Sequence, residues 1–63
     1  MKTMKVYFTK RFPSSSHPIY CECRENSQVI YWNAFESLER MQSFMEKLYY
    51  DYKVVFQSMD KKH

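Results

Sequence analysis

Two cysteines, two histidines and a run of three serines are the residues of this 63-residue chain whose chemistry could go beyond binding. Cys21 and Cys23 stand one residue apart. On a strand rising ~3.3 Å per residue both point to one face, with Cα atoms about 6.5 to 7 Å apart, which strains a disulfide. They read as reduced thiols packed in a core. Zinc sites present cysteines with two to four residues between them, not one, and use four ligands; here His17 would be the third ligand and the fourth would have to come from the tail. No metal is expected. Ser14, Ser15 and Ser16 lie next to His17, yet nucleophile and base are normally brought together from distant segments rather than from neighbours in one loop. His63 ends the chain, and Glu36, Glu39 and Glu46 read as the solvated side of a helix. The complete absence of glycine removes the loops that bring backbone close to a phosphate. No catalytic residue and no cofactor is expected, and the chain reads as a non-enzyme.

The elements that would position a binding surface are legible from periodicity. Met4, Val6 and Phe8 alternate with Lys5, Tyr7 and Thr9, so residues 4–12 read as a strand. Residues 13–18 hold two prolines and three serines and read as a loop. Ile19, Cys21 and Cys23 alternate with Tyr20, Glu22 and Arg24 to give a strand over 19–24. Glu25, Asn26 and Ser27 supply a turn into a hairpin partner over 28–32. Asn33, with Glu36 three residues on, reads as a helix N-cap, and Ala34, Leu38, Met41, Met45 and Leu48 recur at helical spacing, which predicts a helix over 34–50. Residues 52–57, with Val54, Val55 and Phe56, return as a strand, and 59–63 read as a frayed tail. The expectation is a single α+β domain over 1–63 of β-β-β-α-β order, one amphipathic helix packed on one face of a mostly antiparallel sheet.

Sixty-three residues support one core and little more, and so small a core commonly needs a disulfide, a metal or a second subunit. A homodimer is therefore expected. The sequence is 44% hydrophobic and 19% aromatic, too apolar for a disordered segment. No stretch approaches the ~18 apolar residues of a membrane span, and residues 1–12 hold Lys2, Lys5, Lys10 and Arg11 rather than the apolar run of a signal peptide. With reduced cysteines, this points to the cytoplasm and to no membrane partner.

One helix covers one sheet face, so alternation leaves the other to solvent. If Val6, Phe8, Ile19, Cys21 and Cys23 face the helix, then Tyr7, Thr9, Arg11, Tyr20, Glu22 and Arg24 face away. The third strand carries apolar residues on both sides, Val29 and Tyr31 against Ile30 and Trp32. The last strand likewise sets Val54 and Phe56 against Val55, so the open face should present an aromatic from Tyr31 or Trp32 and a valine of that strand; Tyr7, Arg11, Tyr20, Arg24, Tyr31 and Trp32 are the expected partner-binding residues, since Tyr, Trp and Arg dominate interface hot spots. Charge adds an alternative. Residues 1–21 carry four cations and no anion, whereas 22–63 carry six cations and seven anions. Lys5, Lys10 and Arg11 beside Tyr7 and Tyr20 could track phosphates and stack bases, although lysines on an edge strand also discourage sheet-to-sheet pairing. In size, absence of glycine and lack of catalytic groups the chain is in the style of small phage or mobile-element proteins that inhibit or redirect a host enzyme. A pI near 9.0 sets it apart from acidic DNA mimics. The expected function is a small regulator or inhibitor that binds another protein, with nucleic-acid binding as the alternative.

Overall fold

The computed structural model describes residues 2–11 and 14–60. They form strands β1 (Thr3–Lys10), β2 (Ile19–Glu25) and β3 (Gln28–Phe35), helix α1 (Leu38–Leu48) and strand β4 (Lys53–Ser58). The sheet order is β3-β2-β1-β4. β1, β2 and β3 form an antiparallel meander, while β4 lies parallel to β1. A parallel neighbour cannot be reached by a tight turn, so the chain leaves β3 at one edge, crosses one face as α1 and joins the far edge as β4. This is the expected α+β class.

Alternation sorts the side chains of β1 and β2 as the sequence implies. Met4 and Val6 are fully buried and Phe8 packs beside them, while Lys5 is exposed. Ile19, Cys21 and Cys23 are buried on the same side, and Val54 and Phe56 of β4 pack against that cluster. β1 is an inner strand, flanked by β2 and β4, so its lysines guard no sheet edge. β1 ends at Lys10 rather than running through Phe12, which lies outside the described residues.

The β2–β3 hairpin turns on two residues, with Glu25 opposite Gln28. Asn26 (φ 53°) and Ser27 (φ 68°) both occupy the left-handed region, as a turn matching the right-handed twist of the strands requires. Asn enters that region readily, but the Cβ of serine makes it costly. One irregularity follows. Cys23 pairs with Tyr31 but Arg24 pairs with Val29, which leaves Ile30 as an extra residue in β3. Val29 and Tyr31 consequently lie on opposite faces, not on one as simple alternation implies.

β3 continues three residues further than its sequence pattern suggests. Asn33, Ala34 and Phe35 pair with Cys21, Tyr20 and Ile19, so Asn33 is not the helix cap and Ala34 is not on the helix. Pairing with β2 engages Asn33 and Phe35, while the Asn33 side chain accepts from the outward Ala34 N–H at 2.8 Å, so the residue serves the strand edge rather than a helix end. The cap is Ser37, whose hydroxyl accepts from the Arg40 N–H at 3.2 Å. Glu39 in the first turn and Lys47 in the last suit the helix dipole. The helix ends at Tyr49, whose N–H donates to the Met45 carbonyl at 3.0 Å.

Met41 and Met45 are the fully buried helix residues; Leu38, Phe44 and Leu48 remain partly exposed. Phe44 stacks on Tyr31 at 6.2 Å and tilts against Phe35 at 5.2 Å, and Tyr49 meets Tyr52 edge-on at 5.5 Å. Of the seven buried core residues among those described, five (Met4, Cys21, Cys23, Met41 and Met45) carry sulfur. The Cys23 thiol donates to Met45 Sδ at 3.3 Å. Flexible thioethers fill irregular gaps that stiffer side chains would leave empty. The start of the predicted tail is tied down. The Met59 N–H donates to the Phe8 carbonyl at 2.7 Å, and the Thr9 hydroxyl donates to Asp60 Oδ1.

The turn supplies a stability prediction. Ser27→Gly removes the Cβ penalty of a left-handed residue and should raise unfolding free energy by about 1 kcal/mol, read as a higher denaturant midpoint at unchanged slope. A lower midpoint would show that Ser27 contributes more through its side chain than its backbone costs.

Candidate functional site

The face of the sheet away from α1 is built from alternate residues of all four strands. β1 contributes Lys5, Tyr7 and Thr9, β2 contributes Tyr20, Glu22 and Arg24, β3 contributes Val29, Trp32 and Ala34, and β4 contributes Lys53, Val55 and Gln57. The register places Tyr7 opposite Glu22, and Glu22 opposite Trp32. Glu22 therefore stands at the centre of the face, with an aromatic residue on either side.

Around it the side chains form one connected row. Arg24 directs Nε and Nη2 onto Glu22 Oε2 at 3.0 and 2.7 Å, and its guanidinium lies 4.4 Å from the Tyr7 ring centroid. The Tyr20 hydroxyl donates to the other carboxylate oxygen at 2.9 Å. The Arg11 guanidinium lies 4.2 Å from the Tyr20 ring centroid, and Tyr20 faces Trp32 at 6.3 Å between centroids. The order across the face is Tyr7, Arg24, Glu22, Tyr20, with Arg11 and Trp32 both against Tyr20. Each contact fixes rotamers that would otherwise be lost on binding a partner, so the row is pre-organised. Hydrogen bonds from Arg24 hold the Glu22 carboxyl below its usual range despite partial burial. Burial raises the Tyr20 hydroxyl above its usual value, and the bond it donates to Glu22 adds to the rise.

Trp32 lies outside this bonding and is 65% exposed, the most exposed of the large hydrophobic residues on this face. No protein-family model, curated protein or solved structure matches the chain. What the surface can do must therefore be read from its chemistry.

Of the residues expected to bind a partner, Tyr7, Arg11, Tyr20, Arg24 and Trp32 come together on this face. Tyr31 does not. It packs against the core on the helix side, stacked on Phe44, with its hydroxyl accepting from Asn33 Nδ2 at 3.0 Å. The alternative set for nucleic acid is also divided. Lys5, Arg11, Tyr7 and Tyr20 share the open face, but Lys10 pairs with Ile19 and lines a groove on the helix side with Glu36 and Glu39. Alternation already puts one valine of the last strand on the open face, and the structure makes it Val55; Lys53 is the addition, because nothing in the pattern says that β4 lies beside β1. The bulge was equally invisible, and it is what sends Tyr31 inward and Trp32 outward.

The groups first considered for chemistry are scattered. Cys21 is buried, its thiol pushed up to about 12 chiefly by that burial and further by the neighbouring Cys23 thiol. Burial raises Cys23 as well. Both are therefore protonated and poor nucleophiles near neutral pH. His17 is exposed, with Nδ1 2.9 Å from the Ser16 hydroxyl. Among the described residues no three His, Cys, Asp or Glu side chains are grouped to hold a metal ion, and no helix is long and apolar enough to cross a membrane. His63, the tail ligand considered for zinc, lies outside the described residues.

Two predictions separate the role of this face from that of the core. Trp32→Ala should leave the far-UV circular dichroism native and change stability by no more than about 0.5 kcal/mol, as at other exposed positions; loss of the folded signal would place Trp32 in a supporting role. The depressed Glu22 carboxyl stabilises the fold above its unfolded-state value of ~4.3, and that contribution is lost as pH falls through the lower folded-state value. Glu22→Gln should therefore be less stable than wild type at neutral pH, the gap closing on acidification. A gap that persists unchanged into strong acid would show that the carboxylate charge is not what matters.

Proposed function

We propose that this chain is a small, non-catalytic regulatory or inhibitory protein that binds another protein through its open sheet face. The observation that supports this most directly is the exposed indole of Trp32 beside a braced row of Tyr20, Arg24 and Tyr7, on a sheet face that no helix or strand among the described residues covers. Trp, Tyr and Arg supply most of the binding energy at protein interfaces, above all where they are rigid before contact. Free charge on this side is mainly positive. Lys5, Arg11 and Lys53 are exposed there, Glu22 is engaged by Arg24 and Tyr20, and Asp60 accepts from Thr9. A partner with an apolar centre and an acidic rim fits such a surface. Beside Tyr7, an open depression of about 310 Å³ lined by Thr3, Lys5, Arg24, Asn26 and Ser27 could receive one of its carboxylates.

Nucleic-acid binding is the second reading, supported by cations and rings sharing one face. Two features weigh against it. Base stacking needs bare ring faces, whereas Arg24 and Arg11 already lie over those of Tyr7 and Tyr20. Lys10 stands on the opposite side, near Glu36 and Glu39.

Salt separates the readings. A protein partner captured from lysate of the native host should bind the purified chain with little change between about 50 and 200 mM salt, because an interface with an apolar core depends only weakly on screening. Single-stranded nucleic acid held through about four phosphates would weaken about 50-fold over that range. Arg24→Glu, away from the β3 edge, should abolish partner binding while the fold is retained. Retention of the partner by Arg24→Glu, or titratable binding to short DNA or RNA with the steep salt response, would overturn the proposal.

A further inference from the structure

The hairpin end of the open face gathers cations without matching anions. The register sets Lys5 directly opposite Arg24, and Lys53 beside Thr3. Like charges facing each other across a pair of strands repel. Arg24–Glu22 is the one ion pair among the described residues, so none of their carboxylates pairs with Lys5 or Lys53. Glu25, next in sequence to Arg24, lines a different groove with Lys2, Thr3 and Asn26.

The depression of about 310 Å³ beside Tyr7 lies at this end, lined by Thr3, Lys5, Tyr7, Arg24, Asn26 and Ser27. Every one of these side chains carries a hydrogen-bond donor, and none is an acid. Glu22 takes Nε and Nη2 of Arg24 and, with the Tyr7 ring, holds the guanidinium in place; Nη1 is not engaged by that carboxylate. Ser27 carries strain on the same wall. It sits in the left-handed region at φ 68°, a conformation that is costly for a residue with a Cβ and that clusters where function holds it. Glycine would make the same turn without that cost. What serine adds there is a hydroxyl lining the depression.

We propose that this depression is an oxyanion site that takes a phosphoryl group carried on a side chain of the protein partner. The site belongs to the protein-binding face described above and rests on that reading. A carboxylate has two coplanar oxygens, and a single guanidinium satisfies both. A phosphate monoester has three terminal oxygens and between ~1.5 and ~2 negative charges near neutral pH. That matches donors arriving from the start of β1, the end of β2 and the turn, and it matches two opposed cations. Lys5 and Arg24 repel one another when the site is empty, and a dianion between them relieves that repulsion. A phosphodiester brings one charge and two free oxygens, so the same donors favour a monoester over a nucleic-acid backbone.

Two-dimensional amide NMR of the isotope-labelled chain reads the site residue by residue. At constant ionic strength, a short alanine peptide carrying one phosphoserine should shift the amides of Lys5, Asn26 and Ser27 and approach saturation by about 10 mM. Inorganic phosphate should shift the same amides more weakly, while acetate and the unphosphorylated peptide leave them in place. Lys5 and Ser27 are both exposed, so their variants should keep native circular dichroism. Lys5→Gln should weaken phosphopeptide binding by about tenfold or more, as loss of a charge-assisted contact does. Ser27→Gly should weaken it by about threefold or more while raising the denaturant midpoint, a trade that a merely structural serine would not show. Equal shifts with acetate or the unphosphorylated peptide, a response to inorganic phosphate with none to the phosphopeptide, or phosphopeptide affinity unchanged in Lys5→Gln would each overturn the proposal. Tighter binding of a short single-stranded DNA than of the phosphopeptide would do the same. A partner still captured from phosphatase-treated lysate, and still lost with Arg24→Glu, would also overturn it while leaving the protein-binding reading intact.

Discussion

A single eleven-residue helix lies across a four-stranded sheet and can cover only one of its faces. Every other feature of the molecule follows from that imbalance. The covered face supplies the whole core, and Met41 and Met45 are the only helix residues fully withdrawn from water among those described. A thin core gains from side chains that conform to whatever space is left, which gives a physical role to three methionines and two cysteines packed together. The other face is not abandoned to polar residues, as an antiparallel sheet with one solvated side commonly is. It carries an indole, two phenol rings and two guanidinium groups.

How those groups are held bears on what the face is for. A tyrosine on an open sheet is solvated on both sides and samples several rotamers. Here each of the two is capped by an arginine, and one carboxylate collects Arg24 and the Tyr20 hydroxyl. Interactions of this kind contribute little to stability where solvent screens them. Their larger effect is on conformational freedom, since ordering costs met in the free protein are not met again on association. Trp32 needs less bracing, because an indole has two rotatable bonds and lies close to Tyr20.

Much of this was legible in the sequence, and the parts that were not share a cause. Met4, Val6 and Phe8, and Ile19, Cys21 and Cys23, announce their faces by strict alternation, and both strands appear where that pattern lies. Asn33 misleads because its capping signal is local, while the pairing of Asn33, Ala34 and Phe35 with β2 is set twelve or more residues away. Alternation sets Tyr31 and Trp32 on opposite faces without saying which is open, and the extra residue at Ile30, which has no sequence signature, decides for Trp32. Lys10 looked like part of a basic stripe with Lys5 and Arg11, but its place in β1 turns it to the helix side. Lys53 joins the open face because β4 lies beside β1, which no local pattern announces. Periodicity thus gave the faces of single strands, and only pairing gave the composition of the surface.

The irregularity in β3 decides which of its side chains face the helix and which face solvent. Without the extra residue at Ile30, the pairing of Cys23 with Tyr31 and of Arg24 with Val29 could not coexist, and Val29 and Tyr31 would share a face. The bulge lets the upper part of β3 place Val29 beside Arg24 on the open side while the lower part still sends Tyr31 and Phe35 onto the helix. Bulges also twist the strand that carries them, and this one sits on an edge. It therefore separates the hairpin tip, shaped by two left-handed residues at Asn26 and Ser27, from a straight, uncharged segment ending at Phe35. On that segment the Ala34 N–H is held by the Asn33 side chain at 2.8 Å, and Asn33 in turn donates to the Tyr31 hydroxyl at 3.0 Å, so the chain itself ties the strand that carries Trp32.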